Sequence, residues 1–515
     1  MSSNQRIPAK CLAILGTGSD VGKSVVVTAL CRIFSDLQVR VAPFKAQNMS
    51  NNSFVTPEAG EMGRAQVAQA EAARVKLHVD MNPVLLKPCT DTGAQVILHG
   101  KPIGNSQASD YFADTDYLFR EARESLARLR AEYDLVIMEG AGSCAEVNLF
   151  PRDFVNFRMA EAADAPVVLV ADIDRGGVFA QIIGTLEVIP REYRERVRGF
   201  IINRFRGDAA LFQDGIEYLE TRTGLPVLGL IPYYRHIEID SEDGVPLDLL
   251  IDPTAGPEPG KINIAVLCFP HISNFTDFAP LRRDPAVALH YLSKPRLLEG
   301  YDSVFLPGSK NVRADLDWLR KEGWDAHLRA HIGRGGRLVG ICGGYQMLGR
   351  VICDPDGLEG EPGETPGLGL LDVETTLHRE KKLSRSTGFW ETDRERVEGY
   401  EIHMGVTNRI GGVPHVIRVT ERGGKPVDEL DGAGTPDGRI WGTYFHGIFD
   451  LPGFRRSFLG AMDPGYCSDA EGETTVAEVE FRDRQYDLLA AHFRKYLNLP
   501  KLINITRLET CENPE

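Results

Sequence analysis

The sequence predicts two α/β domains in tandem, and three observations carry that prediction. A glycine-rich turn, Gly16-Thr-Gly-Ser-Asp-Val-Gly-Lys-Ser24, follows the apolar run Leu12-Ala-Ile-Leu15 and opens a helical pattern. Strand-like apolar runs then alternate with helical patterns to about residue 230, as in a mostly parallel sheet covered on both faces. After a break rich in Pro and Gly at 251–260, the alternation starts afresh at Ile262-Asn-Ile-Ala-Val-Leu267.

The gross numbers agree. A chain of 515 residues can build two or more cores. A formal charge of −15 argues against a general nucleic-acid partner. No apolar stretch reaches membrane-spanning length, and Met1 to Pro8 lacks a signal peptide's apolar centre, so no membrane partner is expected. Nine scattered cysteines without a CxxC pair suit a reducing compartment, and the expected location is the cytoplasm.

In chain order, strands are predicted at 12–16, 39–44, 94–98, 134–138, 166–171, 199–203 and 226–230. Helices are predicted near 24–37, 58–76, 107–130, 178–189 and 208–222. The second alternation adds strands at 303–306 and 337–341, with 354–366 and 421–438 read as surface loops. Near the end, Tyr486, Leu489, Ala490, Phe493 and Leu497 share one face of a helical pattern from 483 to 497, which reads as a docking helix. The expected organisation is an ATP-dependent domain at 1–250, a linker at 251–260, a second α/β domain at 261–455 and a helical extension at 456–515.

The first turn has the chemistry of a nucleotide phosphate site. Gly16, Thr17, Gly18, Asp20, Val21 and Gly22 form a loop whose backbone N–H groups would cradle phosphates, although Thr17 stands where the common phosphate loop has its first glycine. Lys23, expected at the surface of the turn, would sit beside the β and γ phosphates of ATP, and Ser24 would hold Mg²⁺. Glu139 ends the strand in Asp134-Leu-Val-Ile-Met-Glu-Gly-Ala-Gly-Ser143 and is the expected metal carboxylate, with Asp20 or Asp172 as the alternative. Ala171-Asp-Ile-Asp-Arg-Gly-Gly177 offers Asp172, Asp174 and Arg175 to phosphate or acceptor carboxylates. Asn203, at the end of its strand, is a candidate for the purine edge. Lys45-Ala-Gln-Asn-Met-Ser-Asn-Asn-Ser53 concentrates one ammonium with amides and hydroxyls. Lys45, Gln47, Asn48 and Ser50 would suit carboxylates that become amides.

A second site lies in Val339-Gly-Ile-Cys-Gly-Gly-Tyr-Gln346, where Cys342 follows an apolar strand directly, as at a nucleophile-exposing bend. Gly343, and Gly308 in Leu306-Pro-Gly-Ser309, are the expected oxyanion donors. His446, in Trp441-Gly-Thr-Tyr-Phe-His-Gly-Ile448, pairs with Cys342 for acyl transfer from an amide. Position 448 is Ile where an acid is usual, so either another acid orients His446 or the site works as a dyad.

Together these segments resemble the cobyric acid synthase family, the glutamine-hydrolysing amidotransferases of cobalamin biosynthesis, over nearly the whole chain. The first half is similar to the P-loop, dethiobiotin-synthetase-like ATPase module through Gly16-Thr17, Gly22-Lys23-Ser24, Glu139-Gly-Ala-Gly142 and Asp172 to Gly177. The second half is similar to a class I glutamine amidotransferase of the cobalamin subgroup, which commonly lacks the acid after histidine. Lys45 to Ser50 and Tyr400-Glu-Ile-His-Met-Gly405 are the most specific marks. The resemblance implies glutamine and adenosylcobyrinic acid a,c-diamide as substrates, ATP and Mg²⁺ as cofactors, Gln346 at the glutamine site, and amidation of the b, d, e and g carboxylates. It also makes His271 to Phe278 a domain-interface or substrate loop. Two alternatives stay open: cobyrinic acid a,c-diamide synthase, and a P-loop ATPase that positions partners beside an inert glutaminase domain.

Overall fold

The computed structural model describes residues 8–88, 93–107, 115–240, 251–466 and 476–508. Part of the helix predicted near 107–130 lies outside them; Thr115–Glu132 is helical. Six parallel strands form the first sheet in the order Val227–Pro232, Val197–Phe205, Val167–Asp172, Lys10–Gly16, Leu135–Glu139 and Val41–Phe44. Lys10–Gly16 is central, and every residue from Cys11 onward is buried, because both faces of the sheet are covered. Register then builds a site: Ile14 pairs with Glu139 and Gly16 with Val170. The ends of three adjacent strands therefore converge on the glycine-rich turn, at the carboxyl edge where open α/β sheets bind ligands.

Two predicted elements differ. Gly93–Leu98 is outside the parallel sheet; it joins Gln47–Met49, Val84–Pro88 and Lys101–Gln107 in a smaller sheet. The cause is local: His99 and Gly100 both take left-handed φ (46° and 76°), the geometry of a tight hairpin turn that sends the chain straight back. The helix predicted at 58–76 is confined to Arg64–Ala72, because Ser53–Val55 and Glu61–Gly63 form an antiparallel ladder before it.

The second sheet runs Val287–Leu292, Ile262–Leu267, Ser303–Leu306, Arg337–Ile341, Ile440–Thr443 and Ala433–Gly434, parallel except for its last pair. Beside it, Val373–Trp390 and Arg396–Arg409 form a long antiparallel hairpin. The expected loops at 354–366 and 421–438 contain the strands Gly363–Pro366 and Lys425–Asp431. Their side chains are mostly polar and exposed, so backbone pairing defines them and no apolar pattern betrays them.

Helix Glu478–Tyr496 returns to the first sheet, packing Tyr486, Leu489, Ala490 and Phe493 with Val26, Leu30 and Phe34 of helix Lys23–Asp36. Its Asp483 and Asp487 pair with the fully buried Arg32. Elsewhere the halves meet through a buried ionic knot: Glu61 pairs with Lys87 at 2.7 Å and with Lys381 from the long hairpin. Burial pushes Lys381 down to about 7 against the pull of Glu61, so the knot holds its charges at some cost. Among the described residues, no helix is long and apolar enough to cross a membrane.

Candidate active site

At the first site, Gly22 takes φ 95° and starts helix Lys23–Asp36. A Cβ there would stand 2.1 Å from Asn203 Nδ2, so the turn requires glycine. Lys23 is buried, contrary to the expected surface position: its Nζ donates to the carbonyls of Gly18 (3.1 Å) and Gly142 (2.8 Å). The ammonium is thus held between the turn and the loop that follows Leu135–Glu139. Thr17 N donates to Val170 O at 3.0 Å, fastening the loop to the neighbouring strand.

Glu139 gathers the centre. Ser24 Oγ donates to its Oε1 at 2.8 Å, Lys45 Nζ does so at 3.0 Å, and Gln69 Nε2 donates to Oε2. Burial opposes its charge, but the Lys45 ammonium and these hydrogen bonds hold the carboxyl below its ordinary range. Asp20 lies 3.9 Å from Arg175. Asp172 pairs with Arg204 at 2.8 Å and accepts from Asp174 N, while Asp174 pairs with Arg206. Asn203 Nδ2 donates to Val21 O at 3.0 Å, which braces the turn; its buried Oδ1 has no protein donor. Asn48 Nδ2 donates to Gln66 Oε1 at 2.8 Å, and Ser50 Oγ accepts from Asn52 N at 3.0 Å, which ties Ser50 to its own loop.

A cavity of about 1310 Å³ joins these groups, lined by Asp20, Lys23, Ser24, Lys45, Gln47, Asn48, Glu139, Asp172, Asp174 and Arg175. Its volume exceeds the roughly 300–1,000 Å³ of ordinary small-molecule pockets, so a nucleotide and a bulky acceptor can share it. Arg204, Arg206 and Tyr233 also line it, with the Arg206 guanidinium 3.7 Å from the Tyr233 ring centre; no motif of the sequence marks these three.

At the second site, strand Arg337–Ile341 ends in Cys342, whose φ of 51° marks a strained bend before helix Gly343–Leu348. A Cβ at Gly343 would meet Ser309 N at 2.8 Å, which is why the bend can close only over glycine. Cys342 Sγ donates to Ile402 O at 3.5 Å. A Cβ at Gly308 would fall 3.0 Å from His446 Cε1, so the Gly308 backbone borders the histidine. Gln346 is buried one turn after Cys342 and donates to Tyr444 Oη at 3.1 Å. The Tyr400 and His446 backbones bridge through two hydrogen bonds of 3.0 Å, which ties the Tyr400–Gly405 segment to the site.

The acid facing His446 is Asp277. Its Oδ2 lies 2.7 Å from His446 Nδ1, and its Oδ1 accepts from Gly447 N at 3.0 Å. Burial disfavours the imidazolium, but Asp277 and the Cys342 sulfur more than offset it and push His446 up to about 10.

Comparison with known proteins covers both sites. Residues 12–247 match the CobQ/CobB/MinD/ParA nucleotide binding domain, and residues 263–454 match the CobB/CobQ-like glutamine amidotransferase domain. A cobyric acid synthase of Chlorobium phaeobacteroides (strain DSM 266) is 56% identical over 514 residues, spanning 100% of both chains. The chain belongs to the cobyric acid synthase family. A cobyric acid synthase of Chlorobaculum tepidum is 56% identical over 96% of this chain and 98% of its own length. One of Paracoccus denitrificans is 48% identical over 96% and 99%.

Within this member of the cobyric acid synthase family, Asp277 was hidden from sequence reasoning, because it precedes His446 by 169 positions. The one available signal was the Phe269–Phe278 segment, whose chemistry was not legible from its residues. Asp277→Asn keeps the volume but removes the charge that fixes the His446 tautomer and stabilises its proton. Glutaminase kcat/KM is expected to fall by roughly 10²–10⁴-fold. Its alkaline limb, set by loss of the His446 proton near 10, should move to lower pH, because removing a carboxylate lowers the histidine's proton affinity. A pH series of glutamine hydrolysis checks both; an unmoved limb would remove Asp277 from the role.

Proposed function

We infer that the chain catalyses ATP- and glutamine-dependent amidation of cobyrinic carboxylates to cobyric acid, taking the b, d, e and g carboxylates of adenosylcobyrinic acid a,c-diamide in turn. One observation carries this reading: a single large cavity holds Lys23 and Glu139 at one end and the Lys45–Asn48 donors beside them, in a chain that also carries the Cys342–His446–Asp277 centre. The expected compartment is the cytoplasm, where ATP and glutamine are supplied; the six described cysteines are free thiols.

In the synthetase step, an acceptor carboxylate oxygen attacks the γ-phosphorus, the bridging P–O bond breaks and ADP leaves, giving an acyl phosphate. Lys23 offsets negative charge, and the backbone of Gly16 to Gly22 holds the phosphates. Asn203 Oδ1, buried without a protein donor, suits the amino group of the purine. Asp172, Asp174 and Arg175 border the same end. Ser24 and Glu139, two oxygen donors in hydrogen-bond contact, fit a hard divalent cation, with Asp20 beside the loop. Mg²⁺ bound there would supply phosphate charge compensation. Lys45, Gln47 and Asn48 receive the acceptor carboxylate, with Ser50 supporting their loop.

In the glutaminase step, Cys342 sulfur attacks the glutamine amide carbon while Gly308 and Gly343 face the oxyanion and Gln346 borders the glutamine. His446 gives its proton to the departing nitrogen, so ammonia leaves and a γ-glutamyl thioester remains. Water, deprotonated by His446, cleaves the thioester to glutamate. Ammonia attacks the acyl phosphate carbon, phosphate departs, and a proton passes from nitrogen to phosphate or solvent.

Mass spectrometry of the reaction with the a,c-diamide tests the assignment. Four successive replacements of OH by NH₂ are expected. Cessation at two from cobyrinic acid, with no turnover of the a,c-diamide, would assign the chain to a,c-diamide synthesis. ATP turnover without glutamine hydrolysis would support the partner-positioning ATPase instead.

A further inference from the structure

The large cavity has a wall that the synthetase chemistry leaves unexplained. Besides the polar groups of the first half it is lined by exposed Pro270, half-buried Ile272 and the largely buried Phe269 and Phe275, all from the glutaminase half. These residues follow strand Ile262–Leu267 and form one continuous segment. The segment is fixed from several sides. Ile272 pairs with Ser309 in a short antiparallel ladder, and the Phe275 carbonyl accepts from Tyr291 Oη at 3.2 Å. Asn274 takes a left-handed φ of 52°, and its Oδ1 accepts from Ser53 N at 3.0 Å, pinning the segment to the loop that carries Lys45 to Ser50.

We propose that Phe269, Ile272 and Phe275 form the acceptor-binding wall, packing against the apolar face of the corrin macrocycle while Lys45, Gln47 and Asn48 address its carboxylate rim. This rests on the functional reading above and assigns the acceptor's ring contacts to the glutaminase half. The chemistry of the ligand selects it: a broad ring with one face free of the adenosyl group and a polar periphery needs an apolar surface beside convergent polar donors. An apolar wall also holds the ring without selecting one rim position, so the same surface serves each of the four amidations. Asp277 lies two residues beyond Phe275, so the backbone that seats the acceptor also carries the acid that orients His446.

The test uses the full-length enzyme with ammonium chloride as nitrogen donor, which bypasses glutamine hydrolysis. In Phe275→Ala the KM for the a,c-diamide is expected to rise roughly tenfold or more, on the scale that loss of apolar pocket contacts produces. Ile272→Ala should raise it by a smaller factor, and Phe275→Leu should restore part of the loss. The KM for ATP, bound at the phosphate-loop end, is measured alongside. Thermal melts check folding; if Phe275→Ala does not fold, Ile272→Ala, at a half-buried position, decides the matter. An unchanged a,c-diamide KM in the folded variants overturns the proposal, as does a rise confined to ATP, which would give the wall to the purine. The wild-type enzyme is assayed with glutamine alongside: if it amidates the a,c-diamide with neither nitrogen source, the functional reading fails and the proposal falls with it, and if only glutamine supports turnover the same KM comparison is made with glutamine.

Discussion

Lys23→Ala is expected to lower ATP-dependent amidation by roughly 10³-fold or more, with glutamine and with ammonium alike. The acceptor cannot be phosphorylated unless the negative charge at the β and γ phosphates is balanced. Lys23 opens helix Lys23–Asp36, with Glu139 and Ser24 alongside, and is the cation proposed to balance that charge. Because Lys23 is buried and donates to two carbonyls, alanine also removes those bonds, at about 0.5–1.5 kcal/mol each, since the half-buried Gly18 and exposed Gly142 carbonyls can turn to water. Folding is therefore checked by thermal melt, and Lys23→Gln, which keeps a donor but not the charge, is assayed beside it. Loss in both variants identifies charge as the requirement. Amidation at wild-type rate in either folded variant would sink the role given to Lys23. Glutamine hydrolysis is measured separately, since Cys342 and His446 follow strands of the second sheet.

How much of this was legible follows from the distance over which each residue acts. The phosphate turn and the Cys342 bend are strand–turn–helix devices written within about ten residues, so the sequence displayed them with their glycines in place. The two-unit α/β architecture was legible for the same reason, through its apolar runs. Strand Gly93–Leu98 was seen, but its sheet was not, since the pattern of a strand does not name its neighbours. Gln69 was read only as part of a helix, and the packing of Arg64–Ala72 brings it to Glu139. Asp277 required the fold to bring a turn after the first strand of the second sheet against the end of Ile440–Thr443. Asn203 was legible as polar at a strand end; its nitrogen's bond to Val21 was not, because that depends on the close approach at Gly22.

Cys342→Ala separates the two halves of the reaction. Glutamine-dependent amidation is expected to fall by roughly 10⁴-fold or more, because no thioester can form and His446 has no nucleophile to activate. Amidation with ammonium chloride at mildly alkaline pH, where more of the nitrogen is unprotonated, should stay within about threefold of wild type, since the Gly16–Ser24 turn and the Lys45–Ser50 loop are untouched. The strained φ of 51° is demanded by the bend whichever side chain occupies it, so alanine adds little conformational cost. Full activity with glutamine would show that Cys342 is not the nucleophile. A folded variant that binds ATP and acceptor yet fails with ammonium would carry a different message. Phe269, Ile272 and Phe275 remain in Cys342→Ala, so an intact acceptor wall could not explain the loss. The Cys342 bend itself would then be needed for the synthetase step, through its packing on Ile402 and the hairpin whose Lys381 reaches Glu61 in the first half.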